Sequence, residues 1–299
     1  MMSDIPSERI LADLELTRGL TIQMTAIGTL GLIVGWTGFS ALYQFGTGNP
    51  VTFQFAPASL GWLTTGVNVF VLVFLGTAIL VPHEWLHGLA IRYYGGTPRY
   101  GVGVAHFILP YAYATTDHEF SRNQFAVVLL TPLVVMTAVG VPVMLGFGWG
   151  WMVVPLALNA AGAVADLWMT LMLTGYPSHV RIVDHEDGVR ILGRESDRPR
   201  PLSIPLLIWD ALSGAAIAVF GSFVLLAIGG PLLLSALGVT SLTVGTEGTL
   251  TYLFSFVNTA DEISIGVGPG VLSLGALLGI MYAFVRSYRR GGRPEATTG

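Results

Sequence analysis

Six stretches of the chain, residues 20–43, 63–91, 125–145, 152–174, 204–228 and 267–285, are continuous in apolar residues and long enough to cross a bilayer as helices. Shorter polar segments separate them. The pattern predicts an all-α polytopic membrane protein with about six transmembrane helices. One segment breaks the helical pattern. Residues 96–116, GTPRYGVGVAHFILPYAYATT, alternate Tyr100, Val102, Val104 and His106, and their glycines and prolines oppose a helix. A short β-hairpin or re-entrant segment at the cytoplasmic membrane face is expected there, with a strand edge able to take an extended peptide by strand addition.

Composition supports this. Of 299 residues, 53% are hydrophobic, 11% are charged and 38 are glycine, too apolar for a soluble protein of this size. All 14 positive charges are arginines, and they orient the spans. Arg9 and Arg18 precede the first span, and Arg92, Arg99 and Arg122 lie between the second and third. Arg181, Arg190, Arg194, Arg198 and Arg200 lie between the fourth and fifth, and Arg286, Arg289, Arg290 and Arg293 follow the sixth. The positive-inside rule makes that side cytoplasmic, with both termini inside, and Trp62, Trp149 and Trp151 mark the outer ends of their spans. The first apolar run, preceded by Asp4, Glu8, Asp13 and Glu15 and followed by no cleavage pattern, reads as a retained helix.

A single membrane domain, 1–299, is expected. It divides into a cytoplasmic N-terminal segment (1–19), four spans carrying the candidate site (20–174), a cytoplasmic loop (175–203), two further spans (204–285) and a cytoplasmic tail (286–299). The outer loop 237–266 has no assigned role. The net charge of −4 implies no charged partner, and the arginine clusters reflect topology, not nucleic acid. With no cysteine, any metal ligands are nitrogen or oxygen.

The chemistry concentrates near the end of the second span, where His83, Glu84 and His87 spell HEWLH. Histidines at i and i+4 share one helical face and can reach one metal ion, and Glu84 beside them is placed to accept a proton from a water on that ion. Ionisable side chains inside a membrane are costly and mark function by default. His83 lies nine residues before Arg92, roughly 13 Å along a helix, and Asp166 lies nine before Gly175 in the fourth span, which runs the same way. The shared depth makes Asp166 the natural third metal ligand. Asn159, Gly162 and Asp166 fall on one helical face: Gly162 is expected to admit a neighbouring helix, and Asn159 to orient substrate or help hold an oxyanion.

Asp210, near the cytoplasmic start of the fifth span, is the rival ligand, read instead as a partly wet interfacial carboxylate or a partner to a histidine ring nitrogen. His106, His118, His179 and His185 fall in cytoplasmic loops, where His118 and Asp117 could cap the third span. Pro82 is expected to bend its span at the motif, and DHEDG at 184–188 reads as a solvated acidic turn.

An intramembrane HExxH followed two spans later by an Asn…Asp face resembles the site-2 protease group of intramembrane zinc metalloproteases. Over residues 63–192, HEWLHG and NAAGAVAD are similar more closely to zincin-type membrane peptidases of archaea and bacteria. The resemblance implies zinc as cofactor, His83, His87 and Asp166 as its ligands, Glu84 as catalytic base and Asn159 as a catalytic helper. Where the site-2 group has a proline-containing Asn…Leu-Asp-Gly stretch, this chain has Ala165, Asp166 and Leu167. CAAX-processing and heat-shock membrane peptidases take a glutamate from a later helix, but here Glu119, Glu186 and Glu195 all fall in loops.

The expected activity is hydrolysis of peptide bonds in membrane-embedded or membrane-proximal protein substrates, at a site in the cytoplasmic half of the bilayer. The alternatives are a metal-ion transporter, for which Asn68 is one of few polar groups along the outer half of the second span, and a catalytically silent membrane scaffold.

Overall fold

The third apolar span begins at a capping box. Ser121 Oγ accepts from the backbone N–H of Gln124 while the Gln124 side chain accepts from the N–H of Ser121. This cap replaces the one expected from Asp117 and His118. Asp117 instead accepts a two-pronged ion pair from Arg99, with one contact of 2.6 Å, and His118 packs edge-on against Phe120.

A computed structural model describes residues 8–15, 17–51, 61–105, 109–185, 188–198, 203–259 and 263–291. Six helices are long and apolar enough to cross a membrane: Arg18–Thr47, Leu63–Tyr93, Arg122–Gly146, Gly150–Leu173, Ile204–Ala236 and Gly270–Arg290. They match the six expected spans and fit an integral membrane protein. The chain forms two units, Met1–Met24 with Gly31–Leu202, and Thr25–Leu30 with Ser203–Gly299.

The first unit contains β1 (Glu8–Glu15), most of α1 (Arg18–Thr47), α2 (Trp62–Ala78), α3 (Leu80–Tyr93), β2 (Arg99–Ala105), β3 (Leu109–Thr115), β4 (Glu119–Ser121), α4 (Arg122–Gly146), α5 (Val153–Gly162), α6 (Val164–Leu173), β5 (Arg181–His185) and β6 (Gly188–Arg194). Two spans are interrupted. The second breaks at Ile79, between α2 and α3 and three residues before Pro82, whose missing N–H deprives the Ala78 carbonyl of its helical donor. The fourth breaks at Ala163, between α5 and α6.

Small residues let helices meet. A Cβ on Gly31 would lie 3.6 Å from the Ala161 Cα and one on Gly35 3.2 Å from the Ala157 Cα, so α1 lies against α5 through a small-residue seam. Gly162, expected to serve such an approach, faces open space: a Cβ there would meet nothing within 4 Å. Tyr43, Met144, Val153 and Leu156 form a buried cluster at the far end, where the Tyr43 hydroxyl donates to the Gly148 carbonyl over 2.8 Å.

α3 ends in a Schellman motif, with Gly96 N–H donating to Ile91 O and Gly95 N–H to Arg92 O. Gly95 takes φ 93°, which favours glycine. The turn leads into the expected hairpin, β2 paired antiparallel with β3. Its tip at 106–108, including His106, lies outside the described residues. Tyr100 sits so close to Gly88 that a Cβ on Gly88 would overlap its hydroxyl.

A four-stranded sheet in the order β1-β6-β5-β4 was not expected. It turns the N-terminal segment and the 175–203 loop into strands, with Val189 and Ile191 buried on one face.

The second unit contains α7 (Ser203–Val224), a π-helical turn Leu225–Gly229, α8 (Gly230–Ala236), β7 (Ser241–Val244), β8 (Phe254–Asn258), β9 (Ile263–Val267) and α9 (Gly270–Gly291). α7 and α9 touch backbone to backbone: a Cβ on Gly214 would lie 3.0 Å from the Gly279 Cα. The 237–266 loop is a three-stranded antiparallel sheet, β7-β8-β9, with Phe254 and Phe256 buried.

Asp210 in α7 is 1% exposed, not partly wet as expected. Both its oxygens are taken by arginines one turn apart on α9: Arg286 Nη1 lies 3.0 Å from Oδ1, and Arg290 pairs with Oδ2. It pairs with arginines, not with a histidine ring.

Candidate metal centre

The helical spacing of α3 stacks His83 and His87, both buried, with their rings edge to face and centroids 5.0 Å apart. Each ring nitrogen has a distinct neighbour. His83 Nδ1 lies 2.9 Å from Asn159 Oδ1 on α5, and His87 Nδ1 lies 2.9 Å from the Val128 carbonyl on α4. Both oxygens can only accept, so each Nδ1 carries a proton and Nε2 is the ring nitrogen left available to a metal ion.

The two Nε2 atoms face one carboxylate. His83 Nε2 lies 3.5 Å from Asp166 Oδ2, and His87 Nε2 lies 3.6 Å from Asp166 Oδ1. Hydrogen bonds between such atoms span about 2.7–3.2 Å. Two ligands held at about 2.0–2.1 Å on neighbouring corners of a zinc tetrahedron lie about 3.3 Å apart. The separations therefore suit donors arranged around an ion better than a direct hydrogen bond. The donor chemistry agrees, since two imidazoles and a carboxylate with an open fourth position form a set that zinc accepts.

Among the described residues, His83, Glu84 and His87 are the one group of three metal-ligating side chains with ligand atoms this close, all within 4.8 Å of one another. Glu84 faces β3, near the backbone N–H of Ala114. Asn159 is 1% exposed, and its Nδ2, turned away from His83, is buried with no partner among the described residues. A buried amide donor without an acceptor is costly, and one beside a candidate reaction centre is a place for a substrate carbonyl.

A cavity of about 480 Å3 opens on these groups. Ile79, Leu129, Leu158 and Met169 make its apolar wall, Gly162 leaves space on one side, and residues 112–115 of β3 line another. Asp184, Gly188 and Val189 of the β5–β6 hairpin complete it. Asp184 thus lines the cavity instead of belonging to a solvated turn, while 186 and 187 lie outside the described residues. Of the other histidines, His179 pairs with Asp197 at 2.9 Å, and His185 lies in β5.

The structure therefore brings together His83, Glu84, His87, Asn159 and Asp166. Sequence reading passed over the Val128 carbonyl, a backbone atom with no residue-type signature.

Residues 76–181 match a family model described as "Putative zincin peptidase". The match covers the HEWLH motif, the β2–β3 hairpin, α4, Asn159 and Asp166, and it supports a zincin-type peptidase, hence a zinc metallopeptidase. No curated protein and no solved structure matches the chain.

Proposed function

We propose that the protein is an intramembrane zinc metalloprotease similar to the site-2 protease group, cleaving membrane-embedded or membrane-proximal segments of protein substrates. The observation that carries this is the convergence of two Nδ1-anchored histidines on one carboxylate at hydrogen-bond-exceeding distances, beside a glutamate that faces the same cavity. His83, His87 and Asp166 hold the ion. When bound, zinc polarises a peptide carbonyl and lowers the pKa of a coordinated water toward about 7.

The chain's own groups supply the rest. Glu84 accepts the proton from the attacking water and returns it to the leaving amine. Asn159 positions His83 through Oδ1 and offers Nδ2 to the carbonyl oxygen as negative charge develops there. Among the described residues β3 pairs with β2 alone, and it lines the cavity beside Glu84. An extended substrate adds to its open edge, which places a peptide backbone alongside the motif. The breaks at Ile79 and Ala163 weaken both site-bearing spans next to the cavity and favour water there.

Both termini are cytoplasmic and the site lies in the cytoplasmic half of the bilayer, as the arginine distribution argues. Partners are membrane protein substrates and the bilayer. The test is cleavage of membrane-anchored model segments by the zinc-loaded protein in liposomes. Wild type is expected to cleave, and Glu84→Gln, with equal zinc, to lose activity by about 10²–10⁴-fold; equal rates would remove Glu84 and the peptidase mechanism together.

A further inference from the structure

The hydrogen bond to His87 uses an acceptor that an ordinary helix would not offer. Within α4 the Val128 carbonyl should accept the N–H of residue 132, four positions on. Residue 132 is proline, inside the helix and buried. It has no N–H, and its ring crowds the carbonyl of the residue four before it, pushing that oxygen off the helix axis. The displaced oxygen is the one 2.9 Å from His87 Nδ1.

We infer that Pro132 is a positioning residue for the metal centre: by removing the helical donor and tilting the Val128 carbonyl outward, it creates the acceptor that holds a proton on His87 Nδ1 and turns Nε2 toward Asp166. The two histidines are thus oriented from two helices by different means, His83 by an asparagine side chain on α5 and His87 by a proline-released backbone carbonyl on α4. The backbone device places no second polar side chain in an apolar span, where it would need partners of its own. It also fixes a position that side-chain substitution at Val128 cannot remove.

The inference rests on the zinc-site reading but is testable apart from it. Pro132→Ala restores an N–H that competes for the Val128 oxygen and draws it back toward the helix axis. Pro142, the other proline inside α4, is the control. Three quantities are measured on the full-length protein in lipid: zinc affinity by competition with a chelator, thermal unfolding of the metal-free form, and histidine tautomers by ¹⁵N solid-state NMR.

Pro132→Ala is expected to weaken zinc binding by about 10–100-fold, the usual consequence of losing a partner behind a ligating histidine. Its metal-free form is expected to melt no lower than wild type, because the substitution regularises a helix. The His87 signal is expected to shift from the Nδ1–H toward the Nε2–H tautomer, and Pro142→Ala to bind zinc within about twofold of wild type. A purely structural proline would lower melting temperature and zinc affinity together without moving the tautomer, and that result overturns the inference. So does wild-type zinc affinity in Pro132→Ala. If the wild type binds no zinc, the zinc-site reading fails. The tautomer shift in metal-free protein then still decides whether Pro132 sets the His87 proton.

Discussion

Two aspartates stand in apolar helices of this protein, and their surroundings differ in kind. Asp210 on α7 is closed off from solvent, and its charge is matched by Arg286 and Arg290, both always cationic. Asp166 on α6, with 14% of its side chain exposed, faces the Nε2 atoms of two histidines whose Nδ1 atoms are bonded to other acceptors. The first is a completed ion pair that ties α7 to α9. The second is a carboxylate between two imidazoles, opening on a cavity, and in the proposed reading it is a ligand to a metal ion. A buried carboxylate in an apolar helix is thus not by itself a sign of chemistry; the kind of neighbours it has separates a fastener from a candidate ligand.

Substituting each acid sharpens the contrast. Asp166→Ala is expected to lower peptide cleavage by about 10³-fold or more, with a small change in melting temperature. Asp210→Ala should do the reverse. It leaves two arginines without their partner, costs about 2 kcal/mol of stability because the group removed was buried, and keeps cleavage within a few-fold. Parallel rate and thermal-melt measurements on both variants check this. A protein in which Asp210→Ala is stable but inactive would collapse the distinction.

Asn159 gives the next largest effect. Asn159→Ala removes the acceptor behind His83 and is expected to weaken zinc binding by about 10–100-fold, read by chelator competition. Asn159→Asp keeps an acceptor for His83 Nδ1 while removing the orphan Nδ2 donor. It should restore much of the zinc affinity but not the cleavage rate, separating the two roles of the amide.

Gly88→Ala tests the contact between α3 and the hairpin. The added methyl would overlap the Tyr100 ring, so the ring must turn away or the hairpin shift with it, at an expected cost of about 1–3 kcal/mol in thermal unfolding. Cleavage should fall as well, since β3 lines the cavity. Gly88→Ala combined with Tyr100→Ala should recover part of both losses.

The smallest effect concerns pH. The Arg99 guanidinium beside Asp117 holds that carboxyl below its ordinary value of 3.8. A lowered folded-state value means the charged form is favoured by folding. The clamp across the hairpin base is therefore intact at neutral pH and lost only as pH falls through that lowered value. Limited proteolysis of the hairpin should be flat from pH 7 to pH 5 and rise below about pH 4. Asp117→Asn should flatten the acid rise. An onset near pH 6 would implicate a different group.

The unequal legibility of these features has physical causes. The six spans were readable because length and apolar run are set by bilayer thickness, and HEWLH because a metal pair needs the i, i+4 spacing. Asp166 was reachable by comparing depths along two helices running the same way. The sheet β1-β6-β5-β4 was missed although Val189 and Ile191 flank Arg190 and Asp187-Gly188 is a hairpin signal. Its strands come from distant segments, and β1 finds its partner β6 only in the folded chain.

The Ser121…Gln124 capping box was legible and passed over in favour of the nearby Asp117. The sequence predicts a helix contact at Gly162 because spacing identifies a face without saying whether a neighbour or a cavity meets it. The pairing of Asp210 with Arg286 and Arg290 joins residues far apart in the chain, and no local pattern encodes it.

The most direct measurement is zinc content of purified wild type, Asp166→Ala and Asp210→Ala, each shown to be folded. About one zinc per chain in wild type and Asp210→Ala, with little in Asp166→Ala, is the expected result. Retention of zinc by Asp166→Ala, or its loss from folded Asp210→Ala, would contradict the assignment of the metal centre to His83, His87 and Asp166.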